Sequence, residues 1–125
     1  MAASRRAVIV GWVLSVLVSL MFLFSASMKL MGGPELAKGM EHLELHKIPI
    51  VPLSILELTC VAVYLIPPTS VLGAILLTGY LGGAILTHWR VGDMFIVHIV
   101  LGMVIWLGIY LREDRLRALI PVRRP

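Results

Sequence analysis

Residues 7–28 read AVIVGWVLSVLVSLMFLFSASM, without one charged side chain. A transmembrane helix needs about 20 mostly apolar residues, so this stretch predicts a membrane span over 7–30. Arg5 and Arg6 before it, and Ser25-Ala26-Ser27 near its end, imitate a secretory signal. The apolar core of a signal peptide is only about 7–15 residues long. The run from Ala7 to Phe24 is longer and unbroken, so a retained helix is expected.

Working outward, three further apolar blocks cover 49–66, 70–88 and 94–111. The expected fold is all-α: a polytopic membrane four-helix bundle forming one transmembrane domain over 1–125, with a basic tail at 112–125. Composition agrees. Hydrophobic residues make up 59% and charged residues 14%, against about a quarter charged in a soluble domain. A water-soluble globule is excluded, and nucleic-acid binding with it, because the arginines behind the net charge of +4 gather at the two ends. Cys60 stands alone, which excludes an internal disulfide.

The breaks between blocks are marked by helix-stopping residues. Gly32-Gly33-Pro34 ends the first block and Pro67-Pro68 the second. Pro49 and Pro52 suit a first helical turn. Thr69 or Ser70 is expected to cap the third helix and Asp93 the fourth. Between the first two blocks, Leu36, Met40 and Leu43 recur at helical spacing among Glu35, Lys38, Glu41 and Glu44. That pattern predicts a short interfacial helix over the outer mouth of the bundle. Trp12, Trp89, Trp106 and Tyr110 sit near block ends, where an aromatic belt would lie.

Orientation follows from the basic residues. Arg5, Arg6, Arg112, Arg115, Arg117, Arg123 and Arg124 flank the outer ends of the first and last blocks. Lys38, Lys47 and Arg90 on the other side are offset by Glu35, Glu41, Glu44 and Asp93. Both termini are therefore expected in the cytoplasm, with the tail as an anchor beside anionic lipid.

Helices in lipid associate through close packing at small residues. Gly11/Ser15/Ser19 and Gly79/Gly83/Thr87 form two such stripes and are the expected contact faces. On that reading Gly83→Leu should disturb packing more than Gly73→Leu.

An ionisable residue inside a membrane helix costs at least about 2.5–3.5 kcal/mol on insertion scales, which makes it a functional candidate or half of a structural pair. Lys29, Glu57, His88 and His98 qualify, one per block. Counting along a helix puts Glu57 about 12 Å below Pro49 and His98 about 7 Å below Asp93. Lys29 and His88 fall near the same outer ends, so a polar cluster in the outer half is expected. An ionised Glu57 needs a cation, and Lys29 and His88 are nearest in depth. A carboxyl beside histidines can accept and donate protons, which makes Glu57 and His88 the catalytic candidates. The competing reading is a staple that fixes helix register. Tyr80 lies deep enough to hydrogen-bond into the cluster. Together Lys29, Glu57, Tyr80, His88 and His98 form the expected substrate-binding set.

A metal or haem held by His88 and His98 is disfavoured by their unequal depths. The loop pair His42 and His46 has metal-ligand spacing but no third fixed ligand, and reads as a solvated face. No metal site is expected. Cys60 shares the Glu57 face, where a free cysteine usually just packs.

These residues carry a family resemblance. Phe24-Ser25-Ala26-Ser27-Met28-Lys29-Leu30 resembles the end of the first helix in DoxX-like membrane proteins, and Leu56-Glu57-Leu58 their second-helix motif. Gly83-Ala84-Ile85-Leu86-Thr87-His88, followed by Arg90, Gly92 and Asp93, resembles the exit of their third helix. The turn before the second block departs from the pattern: Lys47-Ile48-Pro49 stands where such proteins often have Gly-Tyr-Pro. The resemblance implies a multi-pass protein of the bacterial cytoplasmic (inner) membrane linked to membrane oxidoreductase complexes. By position it carries over Lys29, Glu57 and His88; His98 rests on depth alone.

The leading functional expectation is an accessory to membrane redox chemistry that binds a quinone or another lipophilic molecule in the outer-half pocket. The chain has no redox centre of its own, so electrons would come from a membrane oxidoreductase subunit or from the substrate. Beyond the lipid bilayer, that subunit or a second copy of the chain in a homo-oligomer is the expected partner. The alternatives are an assembly factor or structural subunit, a small proton-coupled transporter, and a lipid-modifying enzyme using Glu57 and His88 as acid and base.

Overall fold

The computed structural model describes residues 4–45 and 47–125. The first apolar block lies in helix α1, Arg5–Met31. Its start is fixed by Ser4, whose hydroxyl accepts from the Ala7 amide at 3.1 Å, satisfying one of the free N–H groups of a first turn. Its end is fixed by Gly32 and Gly33, with φ of +70° and +111°, a region that side chains other than glycine's avoid. Pro34 then opens α2, Pro34–His42.

Helix α3 runs Ile50–Leu65, with Pro49 as its N-cap. Pro67-Pro68 cannot continue it, and the chain turns through a short 3₁₀ segment into α4, Ser70–Arg90. The carbonyls left free at the end of α3 are taken up by hydroxyls. Thr69 Oγ1 donates to the oxygens of Val63 and Ile66, at 2.8 and 3.2 Å, and Ser70 Oγ to Ile66, at 3.0 Å. Helix α5 is Ile96–Arg112 and α6 is Asp114–Arg117. Among the described residues every regular element is helical.

One boundary expectation holds in position and one changes. Thr69 occupies the N-cap of α4 without a side-chain capping bond. The N-cap of α5 is Phe95, not Asp93; the Asp93 carboxylate is engaged by His42 instead.

α1 packs against α3 and α5, and α4 packs against the same two helices. α1 and α4 face each other across the centre, where the Phe22 and Tyr80 rings meet edge-on at 6.2 Å. Val18, Phe22, Val61, Leu77, Leu81, Ile105 and Ile109 fill the interior.

The close crossings are set by glycines, though not all those expected. A Cβ at Gly11 would sit 2.7 Å from the Gly108 oxygen, so the Gly11/Ser15/Ser19 stripe is a contact face, meeting α5. A Cβ at Gly73 would sit 2.2 Å from the backbone of Tyr64, which makes Gly73 the point of closest approach of α4 to α3. The Gly79/Gly83/Thr87 stripe is not a helix contact. A Cβ at Gly79 or Gly83 would meet nothing within 4 Å, because this face borders a cavity. Equal spacing of small residues does not say which face meets a neighbour, and the packing role falls to Gly73.

At the end of the molecule holding Arg112, a second polar group ties three helices. The Arg112 guanidinium lies 4.0 Å over the Trp12 ring and donates to the Tyr64 carbonyl at 3.1 Å. Tyr64 OH donates to the Ile105 oxygen at 2.7 Å and lies 3.1 Å from Ser15 Oγ. Beyond it, Leu116 of α6 is buried, and Arg117 donates to the carbonyls of Tyr110 and Leu111.

Candidate functional site

A cavity of about 690 Å³ opens at the end where α1 and α4 finish and α3 and α5 begin. Lys29, Glu57, Tyr80, His88 and His98 all line it. Each comes from a position where an apolar block carries a polar residue, and the antiparallel run of the helices brings them to one end. Phe22, Leu53, Leu81 and Leu101 add apolar wall, and Gly79 and Gly83 leave the α4 side flat.

Glu57 is 1% exposed and forms the anchor. Lys29 Nζ donates to its Oε2 at 2.8 Å and to Ser25 Oγ at 2.7 Å. Tyr80 OH donates to the same Oε2 at 3.1 Å. The cluster therefore joins α1, α3 and α4. Two donors on one oxygen and a cation in contact stabilise a carboxylate that would be costly to bury alone. Both bonds land on Oε2.

The histidines form a second polar group. His88 Nδ1 lies 2.7 Å from the Ala84 carbonyl. A carbonyl only accepts, so Nδ1 carries the proton and, in the neutral ring, Nε2 is an acceptor. The His88 and His98 rings are 4.4 Å apart, centre to centre. Counting His98 from Asp93 makes their depths unequal. Helix α5 begins only at Ile96, which puts His98 in its first turn, level with the end of α4. His98 Nδ1 is buried and, among the described residues, has no hydrogen-bond partner.

Helix α2 lies against the cavity through Glu35, Leu36, Gly39 and Met40. It is clasped to the α4–α5 connection. His42 Nε2 lies 3.0 Å from both carboxylate oxygens of Asp93, and Arg90 Nη1 is 3.1 Å from Glu44 Oε2. Arg90 Nη2 also donates to the Leu43 carbonyl. Sequence reading missed this clasp, since nothing local links residues 51 positions apart. His46, the other half of the loop histidine pair, lies outside the described residues. Among the described residues, no three His, Cys, Asp or Glu side chains are placed to share a metal ion. Cys60 is buried and unpaired in the core.

The model of the DoxX-like family matches residues 13–110. The chain belongs to the DoxX-like family. Every one of the five pocket residues lies inside the matched region, whereas the basic tail lies outside it. No curated protein and no solved structure matches the chain. DoxX-like proteins are membrane-associated. In this member α1 and the segment Pro67–Arg90 are each long and apolar enough to cross a bilayer. α3 and α5 are apolar and shorter.

Proposed function

We propose that this DoxX-like protein is a four-helix integral membrane protein whose pocket binds a quinone or another lipophilic small molecule, as an accessory to membrane redox chemistry. The observation that carries the reading is the pocket's mixed lining. Apolar walls and a flat glycine face border a buried carboxylate–ammonium–phenol group and a histidine pair. Ligand sites are mostly apolar with a few fixed polar groups, and this pocket has that make-up.

A membrane location is supported by the outward faces. Only 28% of the apolar window of α1 is buried, and Phe24 is 69% exposed. A soluble protein rarely exposes contiguous apolar area on that scale. Helices α3 and α5 have 16 and 17 residues, or about 24–26 Å of rise. That is short of a hydrocarbon core of about 30 Å, a mismatch that local thinning or flanking residues can absorb. The arginines at the Arg5/Arg112 end favour cytoplasmic termini in a bacterial inner membrane, with the pocket in the outer half.

In this role the remaining N–H groups of Lys29 and a ring N–H of His98 would donate to ligand oxygens, while the Tyr80 oxygen, Glu57 Oε1 and His88 Nε2 would accept from ligand hydroxyls. Glu57 and His88 would exchange protons as the ligand changes redox state. A quinone taking up two electrons also takes up two protons; the protons would pass through these side chains, the electrons from a partner oxidoreductase subunit. A purely structural subunit is the second reading, supported by the way Lys29, Glu57 and Tyr80 tie three helices.

The test is calorimetric titration of a short-tailed benzoquinone into the protein in phosphatidylcholine nanodiscs. Saturable binding is expected, weakened about tenfold or more in Glu57→Gln and His88→Ala, as when a charged or well-aligned hydrogen bond is lost. Absence of saturable binding, or equal affinity in all three proteins, overturns the reading in favour of the structural one.

A further inference from the structure

A second concavity, about 430 Å³, lies on the outer face between α4 and α5. It is apolar and shares two lining residues, Leu81 and His98, with the main cavity. These two side chains therefore form a common wall between an inner polar pocket and an outer groove. The groove is kept open by two glycines. A Cβ at Gly82 would meet nothing within 4 Å, and one at Gly102 would only touch Leu81 Cδ1 at 3.7 Å. Helix packing does not need glycine at either place. The far end is closed by Trp106, whose indole nitrogen donates to Thr78 Oγ1 at 2.7 Å. From His98 to Trp106 the groove follows α5 for about 12 Å. In that wall, His98 Nδ1 is buried and has no hydrogen-bond partner among the described residues.

We infer that the α4–α5 groove holds the apolar tail of the pocket's ligand, which is therefore a single-chain amphiphile. Its polar head lies against Glu57 and the histidines, and its prenyl or alkyl chain leaves past His98 and Leu81 onto the lipid-facing side. The inference rests on the pocket being a ligand site and adds the class of ligand and its route. The shared wall selects this occupant. A tail that belonged to bulk lipid alone would need no shared wall with the polar cavity.

The test compares two probes in phosphatidylcholine nanodiscs: a tail-less dimethoxy-methyl-benzoquinone and the same ring carrying a diprenyl tail. Wild type is compared with Gly82→Phe and Gly102→Leu, which project into the groove from glycines that do not line the inner pocket. The expected result is that the tail improves wild-type binding about tenfold or more, as burial of several methylenes would. That gain is lost in both variants while the tail-less ring binds all three proteins alike. Partition of the tail into the bilayer is common to all three, so their difference reports the groove. A tail gain that survives in both variants overturns the groove assignment and leaves the head-group site standing. No saturable binding of either probe removes the head-group reading, and the tail assignment with it.

Discussion

Lys29 of α1 places its ammonium nitrogen 2.8 Å from Oε2 of Glu57 of α3, a carboxylate that is 1% exposed. Removing one partner of such a pair leaves an uncompensated charge, whereas removing both relieves the desolvation cost. Lys29→Met should therefore lower stability by about 3 kcal/mol, the low end for breaking a buried pair. Adding Glu57→Gln to it should recover much of that loss. A double-mutant cycle on unfolding in one detergent measures the coupling, expected at about 1–3 kcal/mol. A coupling near zero would mean that the contact contributes nothing to stability.

The glycine order is the second prediction. Gly73→Ala puts a methyl 2.2 Å from the Tyr64 backbone and should destabilise by about 3 kcal/mol, the upper range of overpacking. Gly83→Ala faces open space and should be neutral, or stabilising by up to about 1 kcal/mol through helix propensity. Thermal unfolding of the two variants decides; equal shifts would contradict the assignment of these faces.

What was legible in the sequence follows from cost. A charge in an apolar block is expensive, so Lys29, Glu57 and His88 stood out singly, and rise per residue was enough to place them in one half of the molecule. Small residues carry no such penalty. Gly79 and Gly83 have the same spacing as Gly11 and Ser15, yet one stripe lines a cavity and the other a helix contact. Only the partner backbone, Tyr64 against Gly73, tells them apart. His98 was counted too deep because Asp93 looked like a cap, when its carboxylate serves the α2 clasp. Gly82 and Gly102, which open the groove, carry no local signal at all.

The clasp itself gives a third prediction. Asp93→Asn with Glu44→Gln removes both acidic partners of His42 and Arg90. These pairs are exposed, and such pairs contribute about 0.2–1 kcal/mol each, so global unfolding should barely move. Amide exchange across Pro34–His42 should speed up several-fold, since that segment then opens locally. Unchanged exchange there would mean that the α2 position depends on other contacts.

At the opposite end, Arg112→Lys keeps the charge but loses the planar stack on Trp12 and the fixed donor to Tyr64. A loss of about 1–2 kcal/mol is expected, the range of a desolvated cation–π contact. Trp12→Leu in combination should show non-additivity in the same unfolding assay. Strict additivity would separate the two residues energetically despite their 4.0 Å approach.

The cavity lined by Lys29, Glu57, Tyr80, His88 and His98 is proposed as a site for a lipophilic ligand. Mass spectrometry of small molecules carried through purification tests it most directly, with Gly83→Phe as the comparison, because that substitution fills the cavity from a position where a Cβ meets nothing within 4 Å. One lipophilic species, a quinone or similar single-chain molecule, should be retained by the wild-type protein and lost from an equally stable Gly83→Phe. The same lipid profile in both proteins would contradict it.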